Sequence, residues 1–202
     1  TTPSTVLLGF DGDGVYTFDS QSGNTSLLFT RSNSMLTAMG VYSLCRDHEG
    51  NIWVATYTGG AFLMMPEENT TTQLRHREGV EPSLADDNVN AFCEPSKGEL
   101  WIATDNGISI YHPTTNQYRQ ILTGNVVVSI SATPEGVIAA GTYGNGMFLL
   151  DQRGQVVQHY LSSNSGLPSN YLSVVLFDTD RDLWVGNMDS QLVLLKHSDR
   201  SW

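Results

Sequence analysis

The 202-residue sequence has only 10 lysines and arginines against 21 aspartates and glutamates. A formal net charge of −11 argues against nucleic acid as a partner, because phosphate binding needs a basic footprint. No apolar run approaches the roughly 18 residues of a membrane span, so no membrane contact is expected within this segment. No basic-then-apolar leader opens the chain either. It starts "TTPSTV" without a methionine and reads as trimmed, so its opening does not report the compartment. The histidines, His48, His76, His112, His159 and His197, do not gather in one motif, and G-x-S-x-G, H-E-x-x-H and P-loop patterns are absent. No catalytic residue, metal or cofactor is expected. There are just two cysteines, Cys45 and Cys93, in no metal-binding spacing.

What the chain does have is one sentence written five times. "GNIWVATYTGGAFLM" (50–64) returns as "GELWIATDNGISIY" (98–111) and "RDLWVGNMDSQLVLL" (181–195). Two further copies lack the tryptophan: "GVIAAGTYGNGMFLLD" (136–151) has Ala139 there, and "VLLGFDGDGVYTFD" (6–19) has Leu7. The anchors lie 46, 48, 38 and 45 residues apart. A period of about 40–50 residues with four strand-like segments is the signature of a β-propeller blade. In the last four units, strand A ("VYSLCRD", "VNAFCE", "VVVSISA", "LSVVLFD") leads through a short turn, typified by "DHEG", "PSKG" and "TPEG", to strand B with its Trp position. A turn rich in Gly, Asn and Asp then joins B to strand C, and a more polar strand D follows.

Strands A to C are apolar on both faces, although their short links exclude parallel crossovers. An antiparallel sheet with one wet side should alternate apolar and polar residues. These sheets must be covered on both sides by one another. The expected class is therefore an all-β propeller segment, with a β-sandwich or linear β-solenoid as alternatives. Five units of four-stranded antiparallel sheet are expected, approximately 1–35, 36–80, 81–123, 124–163 and 164–202. The first lacks strand A and the last a clear strand D, which predicts an open arc of a larger ring; a degenerate five-blade ring is the alternative. Open end faces would suit neighbouring blades or domains of the same parent protein, or a homodimer. Cys45 and Cys93 hold the same position in adjacent strands A and should both be free, since facing sheets lie about 10 Å apart.

"SLADDNVNAFCEPSKGELWIATDNGISIY" (83–111), "SGLPSNYLSVVLFDTDRDLWVGN" (165–187) and "VYSLCRDHEGNIWVATYTGGAFLM" (41–64) resemble the two-component regulator propeller repeat, with its "GLPSN" lead-in, D-x-x-G turn and "LWIGT" strand. The resemblance extends over essentially the whole chain. It implies the periplasmic sensor region of a membrane-spanning, often hybrid, histidine kinase that answers to oligosaccharides. Arg181 in place of the turn glycine and "GNMDSQ" in place of a glycine-rich turn depart from the pattern and question the last unit's turn geometry.

Strand order A-B-C-D puts the D–A connections and B–C turns on one face of the ring. The D–A connections, "TRSNSMLTAMG" (30–40), "RHREGVEPSLADDN" (75–88) and "LSSNSGLPSN" (161–170), are long and varied, as recognition loops are. The candidate ligand-binding residues are Tyr57, Asp105, Asn106, Tyr143 and Asn145 in B–C turns, with Arg75, Arg77 and Asn164 in the connections. Amides and carboxylates hydrogen-bond sugar hydroxyls and tyrosine rings stack on sugar C–H faces. Turn chemistry alone also accounts for the Asn and Asp, whereas turns do not require Tyr. "DGDG" (11–14) and "DTDRD" (178–182) lack the Gly and Glu of a calcium loop and read as turns. The rivals to a sensor are a protein-interaction scaffold and a propeller lyase.

Overall fold

The structure, a computed structural model, describes residues 4–30, 36, 40–65, 70–80, 83–198 and 201. Among the described residues there are 18 strands and no helix. The first sheet holds β1 (Thr5–Phe10), β2 (Gly14–Asp19) and β3 (Thr25–Phe29). The second holds β4 (Val41–Arg46), β5 (Ile52–Thr56), β6 (Gly60–Met65) and β7 (Thr70–Leu74). The third comprises β8 (Val89–Ser96), β9 (Glu99–Thr104), β10 (Gly107–His112) and β11 (Gln117–Ile121). The fourth comprises β12 (Val127–Ala132), β13 (Ile138–Thr142), β14 (Met147–Leu150) and β15 (Val156–Tyr160). The fifth has β16 (Leu172–Phe177), β17 (Leu183–Asn187) and β18 (Leu192–Leu195). Every sheet is an antiparallel meander. The first and last carry three strands each, and the expected β-propeller segment is what the chain forms.

The register explains why strand B does not alternate. Cys45 lies opposite Trp53, and Trp53 opposite Leu63; Leu44, Val54 and Phe62 are aligned one residue along. Successive side chains leave a strand on opposite faces. Trp53, Ala55 and Leu63 therefore join Leu100, Ile102 and Tyr111 of the third sheet, while Ile52, Val54, Phe62 and Met64 join Val15 of the first. Trp101 and Ala103 likewise pack on Ile130, Ile138 and Phe148 of the fourth sheet. The core is thus four layers between five sheets, each layer built from the Trp face of one sheet and the opposite face of the next.

Close approach at the narrow end of each layer depends on a small residue two places after the Trp position. It is Gly9, Ala55, Ala103 and Gly141 for the four layers, and Gly186 holds the same place on the open face of the fifth sheet. A Cβ on Gly9 would sit 2.5 Å from Val41 Cγ1, and one on Gly141 2.9 Å from Val175 Cγ1. The innermost strands β4, β8, β12 and β16 pack in series, and β1 packs on β4. Among the described residues no comparable packing joins the fifth sheet to the first, and the arc they form is open. Its effect falls on a single residue position: Trp53 and Trp101 are 1% and 0% exposed, whereas Trp184 is 37% exposed. Trp184 faces where a sixth sheet would stand.

Both cysteines are free. Ser131, at the equivalent position, accepts a hydrogen bond from Phe177 N of the following sheet at 3.0 Å. Side chains at this place all look the same way around the arc, so Cys45 packs into the second–third layer and Cys93 into the third–fourth. They stand back to front and cannot meet.

Two local features differ from the expectation. Arg181 keeps the turn geometry that its identity called into question: its φ is +66°, beside +88°, +77° and +81° at Gly50, Gly98 and Gly136. A non-glycine residue in the left-handed region carries strain, and the Arg181 guanidinium reaches Glu135 on the preceding sheet. "PSKG" is not wholly a turn either. β8 runs on through Ser96, opposite Glu99, leaving Lys97 and Gly98 as a two-residue hairpin.

Candidate functional site

The face that carries the B–C turns is held by one repeated bond between neighbours. Gly60 N donates to Asp87 O at 2.8 Å, Gly107 N to Asn125 O at 2.7 Å and Gly146 N to Asn170 O at 3.0 Å. Each joins a B–C turn to the D–A connection of the next sheet, so the two loop sets share one face. The long connections are partly structural, since Leu36, Leu84 and Leu167 from them are buried between sheets. Of the 30–40 connection, Thr30, Leu36 and Gly40 are described and the remainder lies outside the described residues.

The first residue of each B–C turn sits on a common scaffold. Tyr57 N bonds Gly40 O at 3.0 Å, Asp105 N bonds Asn88 O at 3.2 Å, Tyr143 N bonds Val126 O at 2.9 Å and Met188 N bonds Tyr171 O at 2.9 Å. The backbone is pinned alike while the side chain changes: Tyr, Asp, Tyr, Met. Rigidly held positions with variable side chains are how a scaffold presents a recognition surface.

Of these, Tyr57, Tyr143 and Met188 are exposed. Each tyrosine has an equally exposed aromatic companion. Tyr57 lies against Tyr42 at the start of β4, with ring centroids 5.7 Å apart and planes tilted by 32°. Tyr143 meets Tyr171, which precedes β16, at 5.0 Å and 75°. Sequence reasoning singled out Tyr57 and Tyr143 but missed Tyr42, Tyr171 and Met188. Met188 was detectable, because it occupies the aligned position in "GNMDSQ".

The polar candidates are tied into networks. Asp105 accepts Asn88 Nδ2 on one oxygen and Asn90 Nδ2 on the other, both at 2.9 Å. Asn88 Oδ1 in turn accepts Thr58 N at 3.0 Å. Arg75 Nη2 donates to Asp87 Oδ2 at 2.5 Å and to Thr58 O at 3.2 Å, and the Asp87 carboxylate raises the guanidinium pKa further. Tyr57, Arg75 and Asp105 are thereby brought together through Thr58 and Asn88.

A second group forms around the fourth sheet. Asn145 Nδ2 donates to Asn125 Oδ1 at 2.8 Å. Asn145 O bonds the His159 ring at 2.9 Å, and His159 O accepts Asn164 Nδ2 at 3.2 Å. Asn106 Oδ1 accepts Gly124 N at 2.8 Å, and its Nδ2 reaches Ala85 O at 3.4 Å. Arg77 is joined to neither group. It is exposed beside Tyr118, whose phenol is pushed up mainly by burial and partly relieved by the Arg77 charge. What these groups offer chemically is two exposed aromatic pairs with fixed amides and a carboxylate alongside, a surface that stacks and hydrogen-bonds.

On the opposite face, an aspartate locks the A–B turn of the second and of the fifth sheet. Asp47 Oδ1 accepts Glu49 N and Asn51 N at 3.0 and 2.9 Å, and its Oδ2 accepts the Trp53 indole at 2.9 Å. Asp178 does the same for Asp180 N, Asp182 N and the Trp184 indole, the last at 2.8 Å. The Trp184 indole and the two amides hold the Asp178 carboxyl below its ordinary range.

Residues 35–58, the stretch running through β4 and the Trp53 strand, match the family model described as two component regulator propeller. Over that stretch the chain is similar to the two component regulator propeller repeat. The chain is similar to the extracellular domain of BT4673 from B. thetaiotaomicron, described once as a one component and once as a hybrid two component system: 25% identity over 96% of this chain, TM-score 0.77. The extracellular domain of the hybrid two component system BT3049 from the same organism matches all of the chain at 23% identity and TM-score 0.78. A computationally designed protein, Ika8, matches over 100% of this chain and 58% of its own at 13% identity and TM-score 0.65. The last two speak for the fold alone. The chain spans 26% of the length of each B. thetaiotaomicron relative. No curated protein matches it.

Proposed function

We propose that this regulator propeller is an extracytoplasmic, specifically periplasmic, sensor segment of a two-component system and that it recognises an oligosaccharide without transforming it. The observation that carries the reading is the pair of exposed aromatic platforms, Tyr42–Tyr57 and Tyr143–Tyr171, on one loop face beside the fixed Asn88, Asn90 and Asp105 side chains. A sugar ring stacks on such a platform through its C–H face, while amide and carboxylate groups take its hydroxyls. Its binding energy then biases the packing of the propeller against the neighbouring domains of the parent protein. The similarity to extracellular domains of two component systems supports the compartment and the signalling role.

A thermal-shift screen across neutral and acidic oligosaccharides tests this. A binding sugar at about a hundredfold excess over its Kd adds about 2.7 kcal/mol of stability. Tyr57→Ala or Tyr143→Ala is expected to weaken that sugar's Kd at least tenfold while leaving the unliganded melting temperature nearly unchanged. A flat response across the panel, or tyrosine variants that bind as well as the parent, would overturn the reading. Turnover of a glycan by the isolated chain would move it to the lyase class.

A further inference from the structure

The innermost strands β4, β8, β12 and β16 each carry a β-bulge at the same place. The register skips between Val41 and Ser43, Val89 and Ala91, Val127 and Ser129, and Leu172 and Val174. The extra residues are Tyr42, Asn90, Val128 and Ser173. A bulge leaves its extra residue out of the ladder and re-aims the side chain. In two sheets that side chain meets the first residue of its own B–C turn. Tyr42 lies against the Tyr57 ring, and Asn90 bonds the Asp105 carboxylate. In the fourth sheet the bulge is Val128, which has no ring to offer. There Tyr143 takes its aromatic companion, Tyr171, from the fifth sheet.

The three stations are contiguous. Thr58 N, in the Tyr57 turn, donates to Asn88 Oδ1 at 3.0 Å, and Asn88 Nδ2 donates to Asp105 Oδ2 at 2.9 Å. Asn90 Nδ2 donates both to Asp105 Oδ1 and to Val127 O of the fourth sheet, each at 2.9 Å. Around the arc the stations read aromatic pair, carboxylate with two amides, aromatic pair. Asp105 is partly exposed. Each of its oxygens accepts one amide, and a carboxylate oxygen has room for a second donor. The middle station therefore takes hydroxyls and repels anions. Asp11 extends that charge to the far side of Tyr57: a Cβ on Gly40 would lie 3.1 Å from Asp11 Oδ1 and 3.4 Å from Tyr57 Cβ. Arg75, the cation tied to this network, is already paired with Asp87.

We infer that the three stations form one tract, which takes a single linear, uncharged oligosaccharide laid across the second, third and fourth sheets. Its outer units stack on Tyr42–Tyr57 and Tyr143–Tyr171, and a unit between them gives its hydroxyls to Asp105. Tyr42 and Asn90 are then specificity-determining residues, placed by their bulges. This rests on the sugar-sensor reading and adds to it a minimum chain length and a charge. With sheets about 10 Å apart, the two platforms stand further apart than a disaccharide reaches. A chain long enough for both engages the second platform intramolecularly, which raises affinity without a new kind of contact.

Calorimetric titration of the 202-residue chain with size-graded oligosaccharides, about two to eight units long, tests this. The probes are neutral gluco-, manno-, galacto- and arabino-oligosaccharides, with oligogalacturonates as the anionic counterpart. For a binding series, Kd should fall at least tenfold at one chain length and then level off, with one sugar bound per protein. Tyr42→Ala, Tyr57→Ala and Tyr143→Ala should each weaken the long chain at least tenfold and leave that stoichiometry at one. Asp105→Asn, which keeps the side chain's shape, should shrink the preference for neutral over uronate chains at least threefold. Two sugars per protein, with each tyrosine variant abolishing one of them, would overturn the tract and leave the sensor reading standing. So would a Kd independent of chain length, or uronate chains that bind as tightly as neutral ones. Absence of binding by every series would remove the sensor reading and this inference with it.

Discussion

Trp53 and Trp184 occupy the same place in the repeat and make the same indole bond to a turn aspartate, at 2.9 and 2.8 Å. One is sealed between sheets and the other is 37% exposed. The comparison separates two contributions that usually come together. The aspartate lock and its indole bond lie within one hairpin and are the same whether or not a further sheet covers the Trp. Burial is supplied entirely from outside, by the opposite face of the next sheet. The middle of the arc therefore holds the hydrophobic stabilisation, while the last sheet holds the same pattern unsatisfied. Leu176, Leu192 and Val174 are exposed there, and at the other end Val6, Phe10 and Leu27 are. We propose that these two faces pack on neighbouring blades of the parent protein, or on a second copy, continuing the series within the arc.

The strongest way to break the comparison is by truncation. Trp101→Ala removes a fully buried ring and should cost about 3–5 kcal/mol, read as a large fall in the denaturant midpoint. Trp184→Ala should cost roughly 1 kcal/mol or less. Equal losses would mean that the last sheet is as well covered as the middle ones.

A smaller effect sharpens the same contrast chemically. Burial, reinforced by the Glu94 and Asp47 charges, pushes the Cys45 thiol up to about 11, and burial pushes Cys93 up as well. Leu176 stands at the equivalent position on the open face. Leu176→Cys should therefore alkylate at pH 8 on the order of 100-fold faster than Cys45, since only the thiolate reacts. Mass-spectrometric mapping of iodoacetamide adducts over time checks it, and comparable labelling of Cys45 would contradict the layered packing.

The smallest effect concerns acid. The Asp178 carboxyl is held low in the folded chain, first by the Trp184 indole and then by the Asp182 and Asp180 amides. A depressed folded pKa contributes stability that is present above the unfolded value, about 3.9, and lost as pH falls through the folded one. The Trp184 indole N–H should accordingly keep its exchange protection through the ordinary carboxylate range and lose it only at lower pH, as the folded carboxyl takes up its proton. In Asp178→Asn that acid step should vanish, and an unchanged profile would remove the carboxylate from the lock.

Much of the architecture was legible because it rests on periodicity. Strand B without alternation, at a 38–48-residue spacing and with no helix to cover it, leaves packing on copies of itself as the simplest solution. The incomplete end units and the unpaired cysteines follow from the same alignment. The candidate site was legible only in part. Tyr57 and Tyr143 stood out because turns do not need tyrosine, yet Tyr42 and Tyr171 come from other segments and become neighbours only when the sheets pack. Asp105, Asn106 and Asn145 looked like available polar groups, and folding ties each to backbone or amide partners. Arg181 is the reverse case: the glycine is missing from the sequence, but the hairpin imposes the glycine conformation.

What this sequence determined by itself is the repeating unit, the two apolar faces of each sheet and the direction in which each Trp position looks. These are set by side-chain order along single strands and by turn chemistry, which act over a few residues. Only the tertiary structure decided which of those faces found a partner and which polar loop groups remained on the surface. Those outcomes depend on contacts between residues some 40 positions apart, and packing across sheets is set by volume and approach rather than by local pattern.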